Sequence, residues 1–486
     1  MLYKQVLNAA EKYGERIALK DQYREITYSR LIIEVEMMSN KLIDIIKDHF
    51  GYIGILMDKT IDCVIAILSI LKMGKAYVPI DETCPINRIK FILSDSCCDY
   101  LIIDNNHLKQ TLPIQDEQNI LLFDNQLHEI SSAKENKNNK YNCSDNSIAY
   151  ILYTSGSTGV PKGIVHSHES AWTFVNWAIN YFKINQYDIL SSHAPFHFDL
   201  SIFDLYASLT TGAKLCLLPK GITIFPKSLR AYIKHNKISV WYSVPSVLIS
   251  LFNKIDDKEY LQSLRTIIYA GEEMAIHKAE TIKQCIPNAC VYNLYGPTET
   301  NVITYCHVDH SVLQRPDKVI PIGNACPYCE IKVLDSNNQW LENECGTGEL
   351  CVKTDSLMLG YVRNEKEKDE FYRTGDLVRV EPGDNGSTYI FLGRKDNMVK
   401  INGYRVELEE IETHIKSHPN VSDCYAKVVR SEERDYIEVV LEPLGNITKE
   451  AIFLYLKEKM PEYMLPGCMS IVKEIKRNSR GKKIRE

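Results

Sequence analysis

A chain of 486 residues is too long to fold around one core, so two or more domains are expected. With 45% hydrophobic and 25% charged residues the composition is that of an ordinary soluble protein, and a formal charge of −6 gives no reason to propose nucleic acid or an anionic membrane as a partner. The most apolar window, 63–71, is too short to span a bilayer, the N-terminus shows no secretory signal, and fifteen scattered cysteines suit reduced thiols in a cytoplasm.

In chain order, residues 1–20 read as a helix leading into a short strand at 17–20, and residues 29–47 as a second helix. A strand at 54–57, a helix at 60–71, a strand at 76–80, a helix at 87–94 and a strand at 100–104 follow. Strands alternating with helices at this spacing imply βαβ units and a largely parallel sheet. Residues 129–147 are rich in Lys, Asn and Ser and read as an exposed connector.

After it comes the most informative stretch. A buried strand at 148–153 breaks into Thr154-Ser155-Gly156-Ser157-Thr158-Gly159, then Val160-Pro161-Lys162-Gly163. Glycines let several N–H groups converge on an anion, the hydroxyls can donate to phosphate oxygens, and Lys162 adds a point charge. The spacing is not that of the common NTPase loop.

Further on, Asp199 stands among apolar and aromatic residues, where an unpaired carboxylate is costly; it either caps a helix starting near Leu200 or waits for a cation. Residues 239–251 read as a strand, a turn at Pro245 and a helix; 266–271 and 291–295 read as strands. The second of these ends in a Gly-Pro turn carrying Thr298, a phosphate donor, and Glu299, a hard oxygen ligand suited to Mg²⁺. Asp376 follows a glycine turn, where it can accept from ribose hydroxyls or be a plain turn aspartate. Cys326-Pro-Tyr-Cys329 has metal-like spacing, but no second cysteine pair follows it, so zinc is not expected. A charged turn at 393–397 joins two strand systems and marks a domain boundary. Beyond it a helix at 408–417, strands at 424–429 and 437–441 and a helix at 449–459 suggest a small α+β domain, ending in a solvated basic tail at 478–486.

Taken together, the segments 25–31, 72–79, 153–163, 198–205, 293–299, 348–361, 372–376, 393–407 and 480–485 resemble the motif set of amino-acid adenylation domains of the adenylate-forming superfamily. The resemblance covers nearly the whole chain. It implies an α/β fold with a large N-terminal multi-sheet α/β domain, residues 1–393, and a small mobile C-terminal α+β domain, residues 397–486. The hinge falls at 393–397 around Asp396. In one state of the cycle the small domain closes over ATP; in the rotated, thiol-transfer state Gly403 approaches the site.

The resemblance also implies roles for particular residues. Thr154, Ser155, Gly156, Ser157, Thr158 and Lys162 would hold the β,γ-phosphates of ATP. Gly271, Glu272, Glu273, Asn293 and Tyr295 would form the adenine site, and Asp376 and Arg394 would hold the ribose. Thr298 would contact the α-phosphate and Glu299 would bind Mg²⁺. Lys482 occupies the place of the catalytic lysine, although the usual Asn-Gly-Lys-x-Asp-Arg reads here Arg480-Gly-Lys-Lys-Ile-Arg485. The amino-acid pocket would be Asp199, Leu200, Phe203, Tyr242, Ile268, Ala270, Leu294, Val302 and Ile303, with Asp199 pairing the substrate ammonium. Its apolar lining is similar to that of stand-alone L-proline:carrier-protein ligases, while the Phe-Asp-Leu-Ser segment at 198–201 also resembles D-alanine:carrier-protein ligases. The implied reaction is ATP-dependent formation of an aminoacyl-adenylate with release of pyrophosphate, as in nonribosomal peptide synthesis, followed by attack of a thiol. With no Gly-x-Asp-Ser-type carrier site in the sequence, that thiol is expected from a separate phosphopantetheinylated carrier protein. An acyl-CoA ligase is the alternative, and Asp199 argues against it.

Overall fold

The computed structural model describes residues 1–46, 51–124, 147–156, 160–253, 259–341, 345–363, 369–383, 386–431, 435–477, 483 and 485, with backbone only at 127–131 and 258. Among these residues two large mixed sheets dominate, of nine and eight strands. In the first, Lys214–Leu217, Ile189–Ser192, Val240–Ser243, Thr266–Ala270 and Cys290–Tyr295 run parallel. In the second, Asn119–Phe123, Cys98–Ile103, Tyr52–Leu56, Tyr77–Pro79 and Ile148–Thr154 run parallel. Parallel strands need covering on both faces, which is why these segments read as short continuous apolar runs.

One hydrophobic cluster joins the two sheets: Ile55, Tyr77 and Leu152 of one share it with Leu215, Tyr242 and Ile268 of the other. The helix Ile61–Lys72 lies in this layer and buries every residue from Cys63 to Leu71. A helix apolar on all sides can only be stable inside. The parallel strands expected from the βαβ spacing and the α/β multi-sheet architecture implied by the resemblance are therefore present.

Residues 401–469 supply a separate apolar cluster, beneath a two-stranded hairpin (Met398–Ile401, Tyr404–Glu407) and a three-stranded sheet. It is tied to the rest at the site through polar contacts, such as Arg405 to Glu299, and through Tyr404 packed edge-on against Phe198, ring centroids 4.7 Å apart.

Three expectations need correction. Residues 129–131 are not loop: they end an edge strand, Leu127–Ser131, paired antiparallel with Asn119–Phe123, while 132–146 lie outside the described residues. Pro245 does not form a separate turn but opens the helix Pro245–Phe252, where its missing N–H has no partner to lose. The tail is anchored where described: Lys483 Nζ donates to Asp423 Oδ1 and to Cys424 O, both at 2.6 Å, and Arg485 pairs with Glu412 at 2.9 Å.

Candidate active site

The strand Ile148–Thr154 pairs antiparallel with Lys162–Ser167, Thr154 lying opposite Lys162, so the two form a hairpin. Gly156 is required there, because a Cβ would lie 1.9 Å from the Val160 carbonyl oxygen. Ser157 and Thr158 fall outside the described residues. The returning strand feeds the helix His168–Phe182 through a reciprocal capping box between Ser167 and Ser170. His166, on that strand, donates from Nε2 to the Thr298 carbonyl at 2.8 Å, tying the hairpin to the Gly-Pro turn. Burial pushes the His166 imidazole down to about 4, so it stays neutral with its proton on Nε2.

A cavity opens between the hairpin and the carboxyl ends of the parallel strands, where ligands of open α/β sheets bind. Thr154, Asp199, Leu200, Tyr242, Ala270, Gly271, Thr298, Val302, Asp376 and Arg394 all line it, so segments far apart in sequence converge. At one end stands Asp199. It occupies the helix N-cap position without making a side-chain capping bond; Oδ2 instead accepts from Thr298 Oγ1 at 2.6 Å. Burial pushes its carboxyl up, with the Thr298 bond and Lys400 pulling the other way. Phe203, Ile268, Leu294 and Ile303 are buried, at 1% exposure or less, in the layer behind and do not line the cavity. Phe203 packs edge-on against Tyr242, ring centroids 5.5 Å apart, and so sets the position of a ring that does.

At the other end Asp376 accepts from Tyr295 OH and pairs with Arg394 NH1. Arg394 also holds Asp396 through two bonds, of 2.6 and 2.7 Å. Asn293 is buried and donates to the Pro321 carbonyl at 2.8 Å, and Glu273 is exposed. Glu272 accepts from Ser246 N at 3.1 Å and from Gly403 N at 2.6 Å. Lys162 Nζ lies 5.7 Å from the centre of the Tyr361 ring.

Glu299 is buried and accepts from Arg405 NH1 at 2.8 and 3.1 Å and from Tyr361 OH at 2.9 Å. Burial alone would raise its carboxyl; the Arg405 guanidinium outweighs that and holds it below the usual range. Lys482 lies outside the described residues, and its neighbours Lys483 and Arg485 are bound to groups of the small C-terminal unit. The parts of that unit facing the cavity are the hairpin carrying Lys400, Gly403, Tyr404 and Arg405, and Tyr463.

Lys400 and Arg405 are register partners across that hairpin, so both aim at the same face. Sequence reasoning assigned neither a role, although two cations flanking a glycine turn were a usable signal. Lys400 is half-buried near both Asp376 and Asp199; desolvation lowers its ammonium and the two carboxylates oppose the shift. Phe174 and Asn301 also line the cavity. Among the described residues Asp58, Glu82 and His107 can converge on a metal, whereas Cys326 and Cys329 belong to no such group. Lys220 Nζ already neutralises Glu82 at 2.7 Å, and His107 binds Asp104 at 2.5 Å.

The fold has close counterparts. The Vibrio cholerae adenylation domain AlmE, solved with glycyl-adenosine-5'-phosphate, superposes with a TM-score of 0.84 over 98% of this chain and 95% of its own, at 23% identity. The AMP-binding enzyme family matches residues 6–362, and the chain belongs to that family. It is 30% identical to an L-proline–[L-prolyl-carrier protein] ligase of Pseudomonas fluorescens, over 99% of this chain and 97% of that protein. It is also 28% identical to a D-alanine–D-alanyl carrier protein ligase of Bacillus cytotoxicus, over 96% of this chain and 94% of that one.

Proposed function

We propose that this AMP-binding ligase activates a small apolar amino acid, L-proline before others, as its aminoacyl-adenylate and passes the acyl group to the phosphopantetheine thiol of a separate carrier protein. The observation that carries the reading is Asp199, a carboxylate that lines the cavity together with Leu200, Tyr242, Ala270 and Val302. A desolvated acid on a wall shared with apolar side chains suits a substrate that brings an ammonium group and, apart from its reacting carboxylate, no other polar group. A fatty acid has no use for it.

In this reading residues 1–393 bind ATP and the amino acid, and residues 397–486 turn about 393–397. The separate apolar cluster of 401–469 supports that division. Ser155, Gly156 and Lys162 take the β,γ-phosphates with Ser157 and Thr158, and Asp376 with Arg394 takes the ribose. Thr298 donates to Asp199 in the structure. Once a substrate ammonium occupies that carboxylate, the hydroxyl is free to turn to the α-phosphate. The substrate carboxylate then attacks the α-phosphorus in line, the acyl–O–P bond forms, and the bond to pyrophosphate breaks. Attacker and target are both anionic, so lysine charge is needed, and Lys482 supplies it. Glu299 fits Mg²⁺ as a buried hard oxygen donor once Arg405 withdraws, and the ion would offset phosphate charge there. The described cysteines form no disulfides, in keeping with the reducing cytoplasm proposed as its location.

The substrate assignment is tested by an amino-acid-dependent pyrophosphate-exchange panel. Proline presents two N–H donors and a compact apolar ring, and each buried methylene contributes roughly 0.8 kcal/mol. Alanine lacks two ring methylenes and should fall behind by about 1–2 kcal/mol, roughly tenfold. A panel ranking D-alanine or a charged amino acid above L-proline would sink the proline assignment and leave adenylation standing.

The metal role has its own test. Glu299→Gln keeps the shape and removes the charge. The KM for Mg²⁺-ATP should rise by roughly tenfold or more, a hydrogen bond to a charged group being worth about 1.5–3 kcal/mol, with a smaller change in the KM for the amino acid. Unchanged Mg²⁺ dependence removes Glu299 from the site.

A further inference from the structure

Two charged side chains from opposite ends of the chain meet next to the phosphate hairpin. Arg88, in the first turn of the helix Ile86–Asp95, donates from NH1 to Glu410 Oε1 at 2.6 Å. Glu410 lies in the first turn of Leu408–Lys416, within the small C-terminal unit. Their side chains are 5% and 0% exposed. The other carboxylate oxygen of Glu410 accepts from Gly156 N at 3.3 Å. Beside it, Ser155 Oγ donates to the Arg405 carbonyl at 2.8 Å and accepts from Glu407 N at 3.2 Å. Two of the hairpin residues that the adenylation reading gives to the triphosphate, Ser155 and Gly156, are thus taken up by the small unit. A carboxylate stands where an anion is expected.

Resting on that reading, we propose that Arg88 and Glu410 are positioning residues that latch the small unit in its thiol-transfer orientation. Glu410 takes the place of a phosphate oxygen at Gly156 N, so the latch closes only after pyrophosphate has left the hairpin. Both partners are desolvated in the latched arrangement, so losing one leaves an uncompensated buried charge. Because the small unit has an alternative position, the loss is expected to appear as a shift of population and not as unfolding.

The test uses the full-length enzyme, pre-formed L-prolyl-adenylate and D-pantetheine as the acceptor thiol, in single turnovers, with pyrophosphate exchange measured in parallel. Arg88→Met and Glu410→Gln should each slow transfer by roughly a hundredfold or more while exchange stays within about twofold of the parent. The double variant should be no slower than the worse single one, since both remove the same bond. Arg88→Lys, which keeps the charge, should recover part of the rate. Normal transfer in either single variant would overturn the latch. So would multiplicative losses in the double variant, or transfer and exchange falling together. A parent enzyme that exchanges no pyrophosphate with any amino acid would instead overturn the adenylation reading beneath it.

Discussion

Gly403→Leu should stop thiol transfer and leave amino-acid-dependent pyrophosphate exchange in place, while Lys482→Ala should do the reverse. Gly403 has a φ of +84°, a region that disfavours side chains. A Cβ there would sit 2.2 Å from Val244 Cγ1, with Val244 Cβ at 3.2 Å and Cγ2 at 3.4 Å, so turning one side chain does not relieve the contact. The Gly403 amide would also be levered away from Glu272, 2.6 Å distant. Overpacking against Val244 costs about 1–3 kcal/mol, enough to slow transfer by roughly tenfold to a hundredfold. The Val244 clash and the Glu272 contact vanish when the small unit is turned the other way, whereas the backbone strain, local to the hairpin turn, is present in both orientations. In the proposed reading Lys482 serves the other half-reaction, and removing its charge from the in-line displacement should cost roughly 10²–10³-fold in adenylate formation. Transfer from supplied aminoacyl-adenylate should survive that change. The check is to time both half-reactions separately in both variants. If each variant lowers both rates alike, the small unit does not alternate about 393–397.

Asp199→Ala is expected to be nearly inactive towards proline and alanine alike. The substrate ammonium would enter an apolar cavity with its carboxylate partner gone, and an uncompensated buried charge costs about 3–5 kcal/mol, a loss of roughly 10²–10³-fold or more. Thr298 Oγ1 loses its 2.6 Å acceptor as well. The position of this group also sets a pH dependence. Burial raises the Asp199 carboxyl, so protons compete with the ammonium from a higher pH than for an exposed aspartate. The KM for the amino acid should therefore climb as pH falls through that raised value, with no matching change in the KM for ATP. Pyrophosphate exchange measured against pH for both substrates gives the answer. An Asp199→Ala enzyme retaining more than a tenth of its exchange rate would remove Asp199 from the ammonium site.

What could be read from the sequence alone was whatever is encoded locally. Alternating strands and helices announced parallel sheet because their periods differ. The Gly/Ser hairpin, the Gly-Pro turn with Thr298 and Glu299, and the isolated Asp199 were legible because turn geometry and the cost of a buried carboxylate act within a few residues. A resemblance of ordered motifs then supplied roles that no single segment carries.

The tertiary structure decided how those segments face one another. Leu200, Tyr242 and Val302 reach the cavity while Phe203, Leu294 and Ile303 stand behind them, a distinction hydrophobicity cannot make because both sets are buried. Glu299 binds Arg405, 106 residues away, and Arg88 binds Glu410, 322 residues away. Neither pairing leaves a local trace, since an arginine on a helix or strand reads as a solvated charge until the chain brings it a partner. The same holds for Lys400, whose approach to Asp376 and Asp199 follows from where the small unit docks. Short-range periodicity selects the elements; desolvation and charge pairing across the finished fold select which of their side chains act.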